Sequence, residues 1–172
     1  MSGPSPLARI PVGVVVERRK AMSRWVDFVW QPVGVLPGRP DTAPWTVLSS
    51  SEDRDTYYAG PAEIELYRTE TEFYRDNLAS AAPSLWIALR PTGVEPPYSI
   101  AAVTADPAEG EGYTQAGDDL VEAVPMPQTV REIVAAFVAE HHVERPFEKR
   151  KRDRADPQAL ARRAPGAKDD SK

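Results

Sequence analysis

Apolar and polar residues alternate with a period of two along much of this chain, in short runs broken by proline and glycine. "IPVGVVVER" (10–18) is dominated by β-branched residues and predicts a strand. "WVDFVWQPVGVL" (25–36) predicts its antiparallel partner, with Val26, Phe28 and Trp30 on one face and Asp27 and Val29 on the other. No two-residue turn signal lies around Lys20–Arg24, so the connecting loop should be longer than the tightest hairpins. Pro32 cannot donate a ladder hydrogen bond and should mark an edge or a bulge. Further short strands are predicted over "PWTVLSS" (44–50), "RDTYYAG" (54–60), "AEIELYR" (62–68), "SLWIALRP" (84–91) and "YSIAAVTADP" (98–107), with "DDLVEAVPMP" (118–127) as a strand or extended segment.

Two stretches switch to helical spacing. In "TETEFYRDNLASAAP" (69–83), Thr69 and Glu72 fit a capping box, Tyr74 and Leu78 share a face, and Pro83 stops the helix. In "PQTVREIVAAFVAEHH" (127–142), Val130, Ile133, Val134, Phe137, Val138 and His141 form an apolar stripe, with Pro127 near the first turn. A short helix or turn is expected between Pro107 and Gly117. The sum is an α+β fold, built on a curved, mostly antiparallel sheet or small open barrel with a middle helix and a late amphipathic helix. Strands and helices do not alternate, which excludes a doubly wound α/β fold.

Charge divides the chain. Residues 1–143 hold 11 Lys/Arg against 20 Asp/Glu, while residues 144–172 hold 10 against 6. The expected organisation is a disordered stretch over 1–9, a single domain over 10–143 and a basic, partly disordered tail over 144–172. The absence of cysteine removes disulfides and thiolate chemistry and fits a cytoplasmic protein. No apolar run approaches the roughly 20 residues of a membrane-spanning helix, so no membrane partner is expected.

Candidate chemistry is sparse. In the cluster Glu17–Lys20, Arg18 and Arg19 fall on opposite faces of a continuing strand, so at most one turns toward the core. Beside Trp25 or Trp30, such a guanidinium could stack on indole and grip an anion. An ordinary charged strand end accounts for the same residues, yet this is the best surface candidate on the body. Glu140, His141, His142 and Glu144 are metal-ligating types, but adjacent histidines on a helix diverge by about 100°. A structural pair is the simpler account, and no metal or other cofactor is expected. "SSSED" (49–53) lacks the Gly-x-Ser-x-Gly elbow, Glu63 and Glu65 read as a solvated strand face, and no phosphate-binding glycine loop occurs. No catalytic residue is assigned. In the tail, Lys149, Arg150, Lys151, Arg152 and Arg154 form a dense basic run after Phe147. No aromatics interleave it and the body is acidic, so nucleic acid is a poor fit. An acidic protein partner and the chain's own acidic body suit it equally.

The run from "IPVGVVVERR" through "YYAG", "ELYRTETEFYRDNL", "VEAVPMP" and "FVAEHHVERPFEKRKRDRADPQAL" resembles an uncharacterised proteobacterial family of short proteins, often encoded beside formate dehydrogenase and molybdenum-cofactor genes. The resemblance spans about residues 10–163 and brings no catalytic or binding residues with it. It implies a cytoplasmic, non-catalytic accessory protein in the assembly, maturation or regulation of a molybdenum-dependent formate dehydrogenase, whose partner would be a dehydrogenase subunit or maturation factor. Arg18, Arg19, Trp25, Trp30 and the tail residues would be contact surfaces. The alternative is an enzyme or carrier acting on the molybdenum cofactor or its nucleotide form. That would gather Arg18, Arg19, Arg75 or Arg90 around an anionic ligand.

Overall fold

The computed structural model describes residues 3–143. Seven strands and three α-helices follow in the order β1 (Ala8–Lys20), β2 (Phe28–Pro37), β3 (Thr46–Ser50), β4 (Arg54–Leu66), α1 (Thr71–Ala79), β5 (Ser84–Pro91), β6 (Tyr98–Thr104), α2 (Pro107–Gln115), β7 (Leu120–Pro125) and α3 (Gln128–His141). The α+β expectation holds. The strands divide into two antiparallel sheets, ordered β2-β1-β4-β3 and β6-β5-β7, and no barrel closes. β2 lies against β7 and β4 against β6, so the central strands β1 and β5 share one core.

That core follows from the period-two pattern. Ile10, Val12, Val14 and Val16 of β1 and Leu85, Ile87 and Leu89 of β5 belong to one cluster, and all seven are buried. Val15, on the opposite face of β1, is buried as well. Past β2 the chain folds back over that outer face. The Gly38 N–H donates to the Pro11 carbonyl at 3.0 Å, and Pro40 and Tyr58 pack over Gly13.

Several boundaries differ from the sequence expectation. β1 begins at Ala8, inside the stretch expected to be disordered, because Ala8 and Arg9 pair with Leu66 and Glu65. "RDTYYAG" and "AEIELYR" form one strand, β4, rather than two. Gly60, at φ 137°, absorbs a bulge where the partner register skips Ala59. Pro61 is tolerated because it lies beyond the end of β3, where β4 has a single neighbour. Pro32 marks both an edge and a bulge: β2 is the outer strand, and its register skips Val33. The capping box at Thr69 and Glu72 does not form. A 3-10 turn over Arg68–Glu70 leads directly into Thr71, and the Thr69 hydroxyl bonds Glu70 instead.

The helices close one end of the core and cover part of a sheet. Tyr74 of α1 and Val130, Val134, Phe137 and Val138 of α3 complete the core near the start of β1. The Tyr74 hydroxyl accepts the Tyr67 N–H at 3.0 Å, which fixes α1 on the end of β4. Ile133, expected on the buried stripe, is 42% exposed. α2 starts at Asp106, whose carboxylate accepts the Ala108 and Glu109 N–H groups, with Pro107 in the first turn. It lies on the outer face of the second sheet, against Trp86.

Candidate functional site

The far end of β1, about 40 Å from its start at 3.3 Å per residue, carries the charged cluster. Register settles which arginine turns inward. Arg18 keeps the face of Val12, Val14 and Val16 and sits opposite Trp30 on β2 and Asp55 on β4. Its guanidinium carbon lies 4.4 Å from the Phe28 ring centre, 5.6 Å from Tyr57 and 5.7 Å from Trp30. These rings continue into a larger cluster. Trp30 stacks on Tyr57 at 5.7 Å, meets Trp45 edge-on at 6.0 Å and touches Tyr98 at 6.1 Å. Residues from β2, β3's leading edge, β4 and β6 thus close the open end of the core.

The anion that Arg18 grips is already supplied. Its Nη2 donates to Asp55 Oδ2 at 2.6 Å, and the Ser50 hydroxyl donates to Asp55 Oδ1. Ser50 first and Arg18 second hold the Asp55 carboxyl below its ordinary value of 3.8, and the bond to Asp55 raises Arg18. The clasp ties β1, β4 and β3 together beneath the hairpin tip. A lowered carboxyl contributes stability that is complete above the unfolded value near 3.8 and is lost as pH falls through the lower folded value. Acid titration of unfolding should therefore show a loss below about pH 4 that is smaller in Asp55→Asn. An identical acid slope in both proteins would remove Asp55 from the acid response.

Arg19 turns to the opposite face and is exposed, opposite Val29 and Arg54. Trp25 stands 92% exposed in the loop, and among the described residues it contacts no arginine and no other ring. The structure therefore brings Arg18 and Trp30 together and leaves Arg19 and Trp25 at the surface. Phe147, Lys149, Arg150, Lys151, Arg152 and Arg154 lie outside the described residues.

Above the clasp the loop is longer than a tight hairpin. The Lys20 N–H donates to Asp53, the Ala21 N–H donates to Asp27 at 3.0 Å, and the Trp25 N–H donates to the Ser23 hydroxyl. Met22, Trp25 and Val26 project from it fully or more than half exposed, and at its base Phe28 and Val29 are partly exposed on opposite faces of β2. An apolar projection of this kind stands out from scattered surface leucines and valines and fits a contact surface.

Elsewhere the geometry offers less. Arg90 forks onto Asp119 with two bonds of 3.3 Å, so this arginine also holds a carboxylate of the same chain. The His141 ring packs on Phe137 at 4.5 Å, and His142 Nδ1 meets the Thr71 hydroxyl at 3.0 Å, so the two histidines face different neighbours. Among the described residues no group of three or more His, Asp or Glu side chains could share a metal ion. A shallow cavity of about 280 Å³ is lined by Pro4, Tyr67, Thr69, Glu70, Asp106 and Glu109. Burial raises the Asp106 carboxyl despite its two backbone N–H bonds, with Glu70 and Glu109 adding to the effect. Such a wall repels an anion. Sequence reasoning missed this cavity; the one available signal was Asp106-Pro107, which marks a helix start.

A family model described as "Protein of unknown function (DUF3305)" matches residues 11–151, and the chain belongs to that family. No curated protein and no solved structure matches it.

Proposed function

We propose that this DUF3305 member is a protein-binding accessory factor in the assembly, maturation or regulation of a molybdenum-dependent formate dehydrogenase, working in the cytoplasm. The observation that carries the protein-binding part is the apolar loop tip, Met22–Val26, raised on a clasped and aromatic-packed base. The choice of dehydrogenase rests on the sequence resemblance alone. A carrier for the molybdenum cofactor would turn its arginines toward an external anion; Arg18 and Arg90 instead hold Asp55 and Asp119.

The test is equilibrium binding of the purified full-length chain to formate dehydrogenase purified from the same host. Saturable binding is expected. Arg150→Glu/Arg152→Glu should weaken it, and added salt should weaken the wild-type complex more than the variant's, because the variant has already lost charge pairs that salt screens. Undiminished binding by the double variant would move the contact away from the tail. No binding by the wild-type chain would overturn the dehydrogenase assignment.

A further inference from the structure

The geometry of the hairpin tip points to the chemistry of the surface it fits: we infer that Trp25 is the anchor of the contact, seated in an apolar pocket of a folded protein whose rim carries carboxylates facing Arg19, Lys20 and Arg24. This rests on the protein-binding reading above. Three observations lead to it.

Trp25 and Met22 make no core contacts, so their exposure serves no packing need of this domain, and indole is among the side chains that most often carry binding energy. The base beneath them is held on both sides. Asp53 and Asp27 carbonyls receive the Lys20 and Ala21 N–H groups, and the Arg18–Asp55 pair lies directly below, which limits the ordering cost of binding. Finally, Arg19, Lys20 and Arg24 surround the tip and form no ion pair with another described residue, whereas Arg18 and Arg54 are paired with Asp55 and Glu17.

The same charges argue for protein over lipid. The turn between β3 and β4, which adjoins the tip through the Lys20–Asp53 bond, carries Glu52 and Asp53, and the body as a whole is acidic. An anionic membrane presents one sign of charge and would be repelled by those carboxylates. A folded surface can oppose each sign with its complement.

The experiment compares the wild-type chain with Trp25→Ala, with Arg19→Glu/Lys20→Glu/Arg24→Glu and with Phe73→Ser, an exposed apolar residue on α1. Each is titrated against purified host formate dehydrogenase and against phosphatidylcholine–phosphatidylglycerol vesicles, with thermal unfolding recorded in parallel. Trp25→Ala should weaken dehydrogenase binding by about 30-fold, the size of a hot-spot truncation. The triple reversal should weaken it and flatten its salt dependence. Phe73→Ser should bind as wild type, and the melting temperature of Trp25→Ala should be unchanged. Wild-type binding with Trp25→Ala equal to it would overturn the anchor while leaving the accessory role in place. Absent wild-type binding would overturn both. Vesicle binding that depends on Trp25 would overturn the protein surface in favour of lipid.

Discussion

Gly110→Ala should lower the melting temperature by about 4–8 °C, a net cost of about 2 kcal/mol in a chain of this size, left when overpacking of about 3 kcal/mol is set against a gain in helix propensity. A Cβ at position 110 would lie 2.3 Å from Trp86 Cγ, 2.6 Å from Cδ1 and 2.8 Å from Cβ. Trp86 sits in the middle of β5, paired on both sides with Thr104 and Ala123. Its Cβ moves only with the strand, so rotating the indole does not relieve the contact. Alanine is the better helix former by about 1 kcal/mol, which opposes the clash without cancelling it. The mechanism has its own control. With Trp86→Ala already in place the two shorter contacts are gone and only the 2.8 Å contact with Cβ remains, so Gly110→Ala added to it should cost markedly less than in the wild-type background. A neutral Gly110→Ala in the wild-type background would mean that α2 shifts freely on the sheet.

Asn77→Ala should cost more, about 2–4 kcal/mol, because it strands several buried groups at once. Asn77 is 4% exposed. Its Nδ2 donates to the Ser84 carbonyl at 2.8 Å and to the Ala105 carbonyl at 2.9 Å, and its Oδ1 accepts the Ser84 N–H at 3.0 Å. One side chain thus joins the end of α1 to the start of β5 and to the segment after β6. Asn77→Asp keeps the bond from Ser84 but turns an anion toward two carbonyls, so its folded carboxyl should titrate above the unfolded one. That variant should regain stability as pH falls through the raised value and lose it toward neutrality. Chemical denaturation of both variants checks this. A midpoint within experimental error of wild type for Asn77→Ala, or a pH-independent Asn77→Asp, would show that water replaces the side chain's bonds.

Neither position was legible in the sequence, for a common reason. Gly110 looks like a poor helix residue and Asn77 like a solvent-facing one until Trp86, Ser84 and Ala105 are brought beside them by contacts between elements. What was legible depended on local period. The β-branched run of 10–18 predicted the strand β1, and the stripe on α3 predicted the burial of Val130, Val134, Phe137 and Val138. The bulge at Gly60 was read as a strand break, because the Gly60-Pro61 pair gives the same local signal in both cases. The outer covering of β1 was missed, since "PGRPDTAP" carries turn residues and no periodicity.

The charged cluster shows the same division. Its place at a hairpin end, and the opposite facing of Arg18 and Arg19, followed from the strand pattern. The identity of the inward arginine needed the register with Trp30 and Asp55, and Tyr57, Trp45 and Tyr98 come from elements far along the chain. Pairing turned Arg18 and Trp30 from a candidate contact surface into the support beneath the loop tip. Trp25 has no ring or arginine beside it among the described residues and stands exposed at the tip.

The most direct test is amide hydrogen exchange of the full-length chain, alone and with purified host formate dehydrogenase. The account predicts that exchange slows across Ala21–Val29 while the stretch around Glu70, Asp106 and Glu109 is unchanged. Slowing around those carboxylates, with the hairpin tip unaffected, would contradict it.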